Sequence, residues 1–203
     1  MRIFCIGRNY AEHIAELQNE RPTDPVIFTK PDSAILRENN PFYLPDFTED
    51  VHHELEIVLK INKLGKNIPV QFADNYYEEI ALGIDFTARD VQAKQKAKGL
   101  PWEIAKGFDG SAPISKFVPK SQFADFPKLN FDLTVNGEVR QQGDTTMMLW
   151  SFGEIIAYLS KFFTLKIGDL IYTGTPAGVG QVNIGDRLIG RLEGQEMFNF
   201  EIK

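Results

Sequence analysis

Little in this chain ties it to an oxidising compartment, a membrane or a nucleic acid. Among its 203 residues there is one cysteine, Cys5, which cannot close an internal disulfide. No apolar run has the length of a membrane span. The opening Met1-Arg2-Ile3-Phe4-Cys5-Ile6-Gly7 is too short even for a signal-peptide core and reads as a first strand. The default location is the cytoplasm, with no membrane partner. Acidic residues (28) outnumber basic ones (22), the formal net charge is -6, and no basic block stands out, which argues against a nucleic-acid partner. Repeats, low-complexity stretches and a dividing linker are also missing, so a single catalytic domain over residues 1–203 is expected.

What is present fits a globular protein. Apolar residues make up 43% and charged residues 25%, an ordinary balance for a chain long enough to bury a sizeable core. Sixteen phenylalanines need partners, in that core or in a buried subunit interface. Asn9 is placed to cap a helix over about residues 10–20, and residues 26–29 read as a strand broken at Lys30-Pro31. Residues 31–53, rich in Pro, Asn and Asp, read mostly as loop. Strands are expected near 54–61 and 79–84. Thr87-Ala88-Arg89-Asp90 has the form of a capping box opening a helix to about Lys98, with Gly99 beyond its end. Residues 99–113 read as a loop carrying Lys106. Asn136-Gly137 predicts a hairpin turn, and Ser151-Phe152-Gly153-Glu154 a second capping box opening a helix to about Phe163. A strand over 169–173 leads into a glycine-rich loop, and a last hairpin turns at Gly194-Gln195. Strands dominate, without regular βαβ alternation, which gives an α+β, mostly β architecture.

Three carboxylates stand out. In Glu54-Leu55-Glu56-Ile57-Val58-Leu59-Lys60-Ile61, apolar residues alternate as in a half-buried strand, so Glu54 and Glu56 project to the same face. Two like charges held side by side repel unless a cation or a proton is shared between them. Asp85 ends a second apolar run and offers a third carboxylate. An all-oxygen site suits Mg²⁺, Mn²⁺ or Ca²⁺ better than Zn²⁺. The alternative for a Glu-x-Glu pair is the solvated face of an edge strand.

Other polar pairs carry the same two readings. His13 and Glu16 are three apart on the first helix and can touch, either as a proton-transferring dyad or as a solvated helix face. Arg89 and Gln92, also three apart, point together from the helix after Asp85, to contact substrate or hold a metal ligand. Lys106 and Lys30 are candidates for neutralising an oxyanion, or surface lysines. His52 and His53 are adjacent on a strand and face opposite ways, which reads as structural. The loop Gly174-Thr175-Pro176-Ala177-Gly178-Val179-Gly180 follows a strand but lacks a Gly-Lys-Ser/Thr ending and a following helix, so it is not a P-loop. Its backbone N–H groups and the Thr175 hydroxyl fit a carboxylate better.

Taken in order, Gly7-Arg8-Asn9-Tyr10 with His13 and Glu16, Phe28-Thr29-Lys30-Pro31, His53-Glu54-Leu55-Glu56, Asp85 through Gln92, Lys106-Gly107-Phe108-Asp109 and Thr173 through Gly180 resemble the fumarylacetoacetate hydrolase family in its short prokaryotic form. The resemblance runs over nearly the whole chain. It implies a β-roll or β-sandwich built around a mixed sheet, a homodimer, and Mg²⁺ or Mn²⁺ on Glu54, Glu56 and Asp85, with Ca²⁺ a substitute in crystals. It further implies His13, Glu16 and Lys106 as catalytic residues, and Arg8, Tyr10, Lys30, Arg89, Gln92, Gly174 and Thr175 as substrate-binding ones. It also implies the catalytic core alone, without the separate N-terminal domain that larger members carry. The implied substrate is a 2-oxo acid. Hydrolysis of acylpyruvate-like 2,4-dioxo acids leads. Oxaloacetate decarboxylation, isomerisation or hydration of 2-hydroxy-dienoates, and a catalytically silent binding protein follow as alternatives.

Overall fold

The computed structural model describes residues 1–17 and 20–203. Largely apolar strands, the central ones buried on both faces, build its main sheet of six strands, ordered Val26–Lys30, Ile3–Gly7, Leu170–Tyr172, Leu55–Ile61, Tyr77–Ile84 and Val118–Pro119. The first-strand reading of the N-terminus holds: Ile3–Gly7 pairs parallel with Leu170–Tyr172 and antiparallel with Val26–Lys30. A second, antiparallel sheet of four strands runs Glu138–Asp144, Asn130–Val135, Arg187–Leu192 and Gln195–Glu201. The core between the sheets is rich in aromatics, including Phe42 stacked on Phe86 at 4.1 Å between ring centroids. The fold is α+β with strands prevailing, as its sequence pattern implies.

Among the described residues, five α-helices connect or cover the strands: α1 (Ala11–Glu16), α2 (Val70–Ala73), α3 (Arg89–Ala97), α4 (Glu103–Lys106) and α5 (Phe152–Phe162). The capping box of α5 forms in both directions, with Ser151 Oγ accepting from Glu154 N–H and Glu154 Oε2 accepting from Ser151 N–H at 2.8 Å. Phe152, Ile155, Ile156 and Leu159 bury its apolar face. Asn136 and Gly137 take φ +54° and +84°, the left-handed pair that a tight hairpin needs.

Five local expectations fail for physical reasons. Asn9 does not cap α1; Tyr10 precedes the helix with no side-chain cap, while Asn9 Nδ2 donates to the carbonyls of Trp150 and Thr173 at 3.1 and 2.8 Å. The helix runs only over Ala11–Glu16; of the expected remainder, residues 18 and 19 lie outside the described residues. Thr87 does not cap α3, because Thr87-Ala88 is a short strand against Val51–His53 and the Thr87 hydroxyl donates to the Asp85 carbonyl. The segment 99–113 is not all loop: α4 and the strand Ala112–Pro113 lie within it, and Lys106 is the last residue of a helical turn. Finally, the last hairpin turns at Glu193-Gly194, both at positive φ, one residue earlier than expected.

Candidate active site and metal centre

Strand register sets the floor of the site. In the antiparallel pair Leu55–Ile61 and Tyr77–Ile84, Leu55 faces Ile84, and the Asp85 N–H donates to the Glu54 carbonyl at 2.8 Å. This places Asp85 across from Glu54, with Glu56 two residues on. One oxygen from each of the three carboxylates lies within 4.8 Å of the others, and all three residues are buried.

Cations and amides crowd this cluster. Lys106 Nζ donates to Glu54 Oε2 at 2.8 Å and to Asp85 Oδ2 at 2.7 Å. Arg89 Nη2 donates to Glu54 Oε1 at 2.6 Å, and its Nη1 to Gln92 Oε1 at 2.8 Å. Burial raises the Glu54 pKa, but Lys106, Arg89 and His13 outweigh it and hold Glu54 well below the usual carboxylate range. Burial opposes the Lys106 ammonium, yet Asp85 and Glu54 raise its pKa overall. At Glu56 the balance runs the other way: burial first, then Asp85 and Glu54, push its pKa well up, against one hydrogen bond from Gly174 N–H at 2.7 Å. Such a group keeps a proton or shares a cation.

The donor set fits a hard divalent cation. Three buried carboxylates converge, and among the described residues Asp85 Oδ1 accepts no hydrogen bond. Lys30 Nζ lies 2.7 Å from that oxygen as an ion pair without hydrogen-bond geometry. Its protons serve the carbonyls of Phe86, Ser111 and Lys106 and the Ser111 hydroxyl. Lys30 is therefore buried behind Asp85 and does not line the cavity, so its expected substrate contact gives way to a supporting charge.

The remaining expected residues divide in the same way. A small cavity over the carboxylates is lined by Arg8, His13, Arg89, Gln92, Lys106 and Thr175, with Phe28 and Trp102 as apolar wall. Gly174 spends its N–H on Glu56. Its φ of +103° and a would-be Cβ 2.6 Å from Asn9 Cβ leave room only for glycine. Tyr10 does not line this cavity; it borders a wider groove, and among the described residues its buried hydroxyl has no hydrogen-bond partner. That groove is the roomier of the two but holds none of the three carboxylates, and the chemistry belongs to the smaller cavity.

Above the floor, His13 Nδ1 lies 3.2 Å from Glu16 Oε2, and Glu16 Oε1 accepts from Gly178 N–H at 3.0 Å. The pair is thus half of a bridge between α1 and the glycine-rich loop. Sequence reading missed Gln141, whose Oε1 accepts from Leu55 N–H and meets His53 Nδ1, both at 2.9 Å. Its Nε2 donates to Thr175 Oγ1 at 2.8 Å, tying the carboxylate strand to that loop. Nothing local marks a strand glutamine for this task. His53 is structural through that contact, and His52 pairs with Asp50 at 2.9 Å. Sequence reading also missed Lys96, although it lies on the same face of α3 as Arg89 and Gln92.

The chain matches the family model for the fumarylacetoacetate (FAA) hydrolase C-terminal domain over residues 2–199. Among curated proteins it is 44% identical over 201 residues to a mitochondrial oxaloacetate tautomerase of Homo sapiens, covering 99% of this chain and 91% of that protein. An oxaloacetate tautomerase of Escherichia coli (strain K12) is 41% identical over 197 residues, covering 97% and 90%. Among solved structures, fumarylpyruvate hydrolase from Pseudomonas aeruginosa in complex with Mn²⁺ and pyruvate superposes with a TM-score of 0.94 at 38% identity, covering 100% of this chain and 89% of that one.

Proposed function

Because this chain belongs to the fumarylacetoacetate hydrolase family and is an enzyme of that family, we propose that it is a divalent-metal-dependent enzyme that interconverts or cleaves 2-oxo acids through their enol forms. The observation that carries this reading is the convergence of Glu54, Glu56 and Asp85 within 4.8 Å beneath a cavity bordered by Lys106 and His13. We assign these three carboxylates as ligands of one Mg²⁺ or Mn²⁺, a choice supported by the all-oxygen set and by the Mn²⁺ in the Pseudomonas structure. When bound, the ion supplies Lewis-acid stabilisation of the negative charge that develops at the 2-oxo oxygen.

The chain's own residues do the rest in this proposal. Lys106, held protonated by its two carboxylates, offers its ammonium to a second developing oxyanion. Arg89, Gln92 and the Thr175 hydroxyl hold the substrate carboxylate against the cavity wall. His13, oriented by Glu16, accepts a proton from the substrate carbon or from a water and returns it. Phe28 and Trp102 keep bulk water from the reacting atoms.

Two reactions use this arrangement. The names of the sequence relatives favour keto–enol conversion of oxaloacetate, in which His13 moves the proton at C3. The Pseudomonas structure favours hydrolytic cleavage of a 2,4-dioxo acid, in which His13 and Glu16 activate a water. We place oxaloacetate first and acylpyruvate hydrolysis second. The assay is Mg²⁺-dependent turnover of oxaloacetate, acetylpyruvate and a 2-hydroxy-dienoate with product identification. Accelerated ketonisation of enol-oxaloacetate is the expected result. Acetate and pyruvate from acetylpyruvate would put hydrolysis first, and inertness toward all three would overturn both readings. The single-domain, homodimeric organisation also stands as a proposal, tested by mass in solution.

A further inference from the structure

Gln141 stands apart from its neighbours in the strand Glu138–Asp144. Glu138, Val139 and Arg140 are exposed, yet Gln141 is 1% exposed. The strand bulges just before it: Leu133 pairs with Gln141 and Thr134 with Val139, so Arg140 is the extra residue. The glycine-rich loop packs on this bulge, where a would-be Cβ on Gly178 would lie 2.1 Å from the Arg140 carbonyl oxygen. A bulge re-aims a neighbouring side chain, and here the glutamine amide reaches inward, between the carboxylate strand and the loop.

Two backbone groups fix which way that amide faces. The Leu55 N–H can only donate, so the atom 2.9 Å from it is the oxygen Oε1. The Pro176 carbonyl can only accept, so the atom 3.0 Å from it is Nε2. His53 Nδ1, 2.9 Å from the same Oε1, is then the nitrogen of its ring that carries the proton. The second proton on Nε2 goes to Thr175 Oγ1 at 2.8 Å.

This order of donors decides what the Thr175 hydroxyl can do. Its oxygen accepts from Gln141, so its own proton is left for another acceptor. Among the described residues no protein group accepts that proton, and Thr175, 3% exposed, lines the cavity over Glu54, Glu56 and Asp85. The hydroxyl therefore meets an incoming ligand as a donor, the polarity that an anionic head group needs. Leu55 lies between Glu54 and Glu56, so the same amide also sets the hydroxyl against the carboxylates.

We propose that Gln141 is a positioning residue for the reaction: it holds the Thr175 hydroxyl as a hydrogen-bond donor to the substrate head group. This rests on the 2-oxo acid reading of the site given above.

The test is a double-mutant cycle on oxalate affinity, read by calorimetry in the presence of Mg²⁺. Gln141→Glu keeps the shape and the acceptor for Leu55 N–H but replaces Nε2 by an oxygen, which draws the Thr175 proton away from the cavity. It should weaken oxalate roughly tenfold or more, the scale of one charge-assisted hydrogen bond. The added negative charge repels oxalate whatever stands at position 175, so the ratio between backgrounds carries the information. The loss caused by Gln141→Glu should be at least about fivefold larger in the native background than in Thr175→Val, and Thr175→Ser should keep the native ratio. Gln141→Met, which is neutral and removes the donor, should show coupling to Thr175 of the same sign. Mg²⁺ affinity, measured on each variant, reports whether the carboxylates are undisturbed. Equal losses in the native and Thr175→Val backgrounds, or a fall in Mg²⁺ affinity as large as the fall in oxalate affinity, would overturn the role of Gln141 and leave the proposed function standing. No oxalate binding by the native enzyme would overturn the proposed function and the positioning role with it.

Discussion

The floor and the roof of the cavity are built on different principles. The floor is Glu54, Glu56 and Asp85, set by the register of two long strands that are buried where they meet the site, and braced by Lys30, Lys106, Arg89 and Gly174. The roof is α1, six residues long, with no side-chain cap at its start. It meets the glycine-rich loop through Glu16 and Gly178 and buries little beyond His13 and Ile14. Helices of this length do not stand alone in water. A rigid floor suits holding a cation and a substrate head group, and a weakly held roof suits closing over them. Binding and proton transfer should therefore separate between the two regions.

Breaking the floor should have the largest effect. Glu56→Ala removes one of the three proposed ligands and should abolish metal-dependent turnover and weaken Mg²⁺ uptake. Titration calorimetry reads the second quantity, and native-like Mg²⁺ affinity in this variant would mean that the carboxylates do not share an ion.

The roof should show itself in dynamics. Amide hydrogen exchange in α1 should be fast in the free enzyme and slower with Mg²⁺ and oxalate, while the strands of the floor stay protected in both states. Equal exchange in α1 with and without ligand would show that the helix does not close.

A control away from both regions should have the smallest effect. Ser151→Ala removes the capping box of α5 and should lower stability by about 1 kcal/mol, read by denaturant unfolding, with kcat and KM near native values. A comparable kinetic loss would show that the site responds to general stability and would blur the separation of floor from roof.

The same division explains what could be read from the sequence. The floor was legible because strand periodicity fixes which residues share a face: Glu54 and Glu56 alternate with Leu55 and Ile57 whatever the rest of the chain does. The capping box of α5 was legible for the same local reason. Thr87-Ala88-Arg89-Asp90 has an equally good local pattern, yet Thr87 is drawn into a strand with His52, a pairing 35 residues away that outweighs the cap. Helix α4 was hidden because a single turn has too few residues to show a period. Lys30 looked like a substrate contact because the oxygens that surround it come from residues 85, 86, 106 and 111, which only the fold brings together. Lys96 was within reach of helical spacing from Arg89 and Gln92, but spacing does not show which face of α3 lines a cavity.

The central claim is that the floor binds and the roof reacts, and His13→Ala tests it most directly. Turnover of oxaloacetate and oxalate affinity should be measured on the same preparation with Mg²⁺. We expect turnover to fall by about 10²–10⁴, the usual cost of removing a general acid or base, with oxalate affinity within a few-fold of native. Near-native turnover, or a loss of oxalate affinity as large as the loss of turnover, would contradict the account.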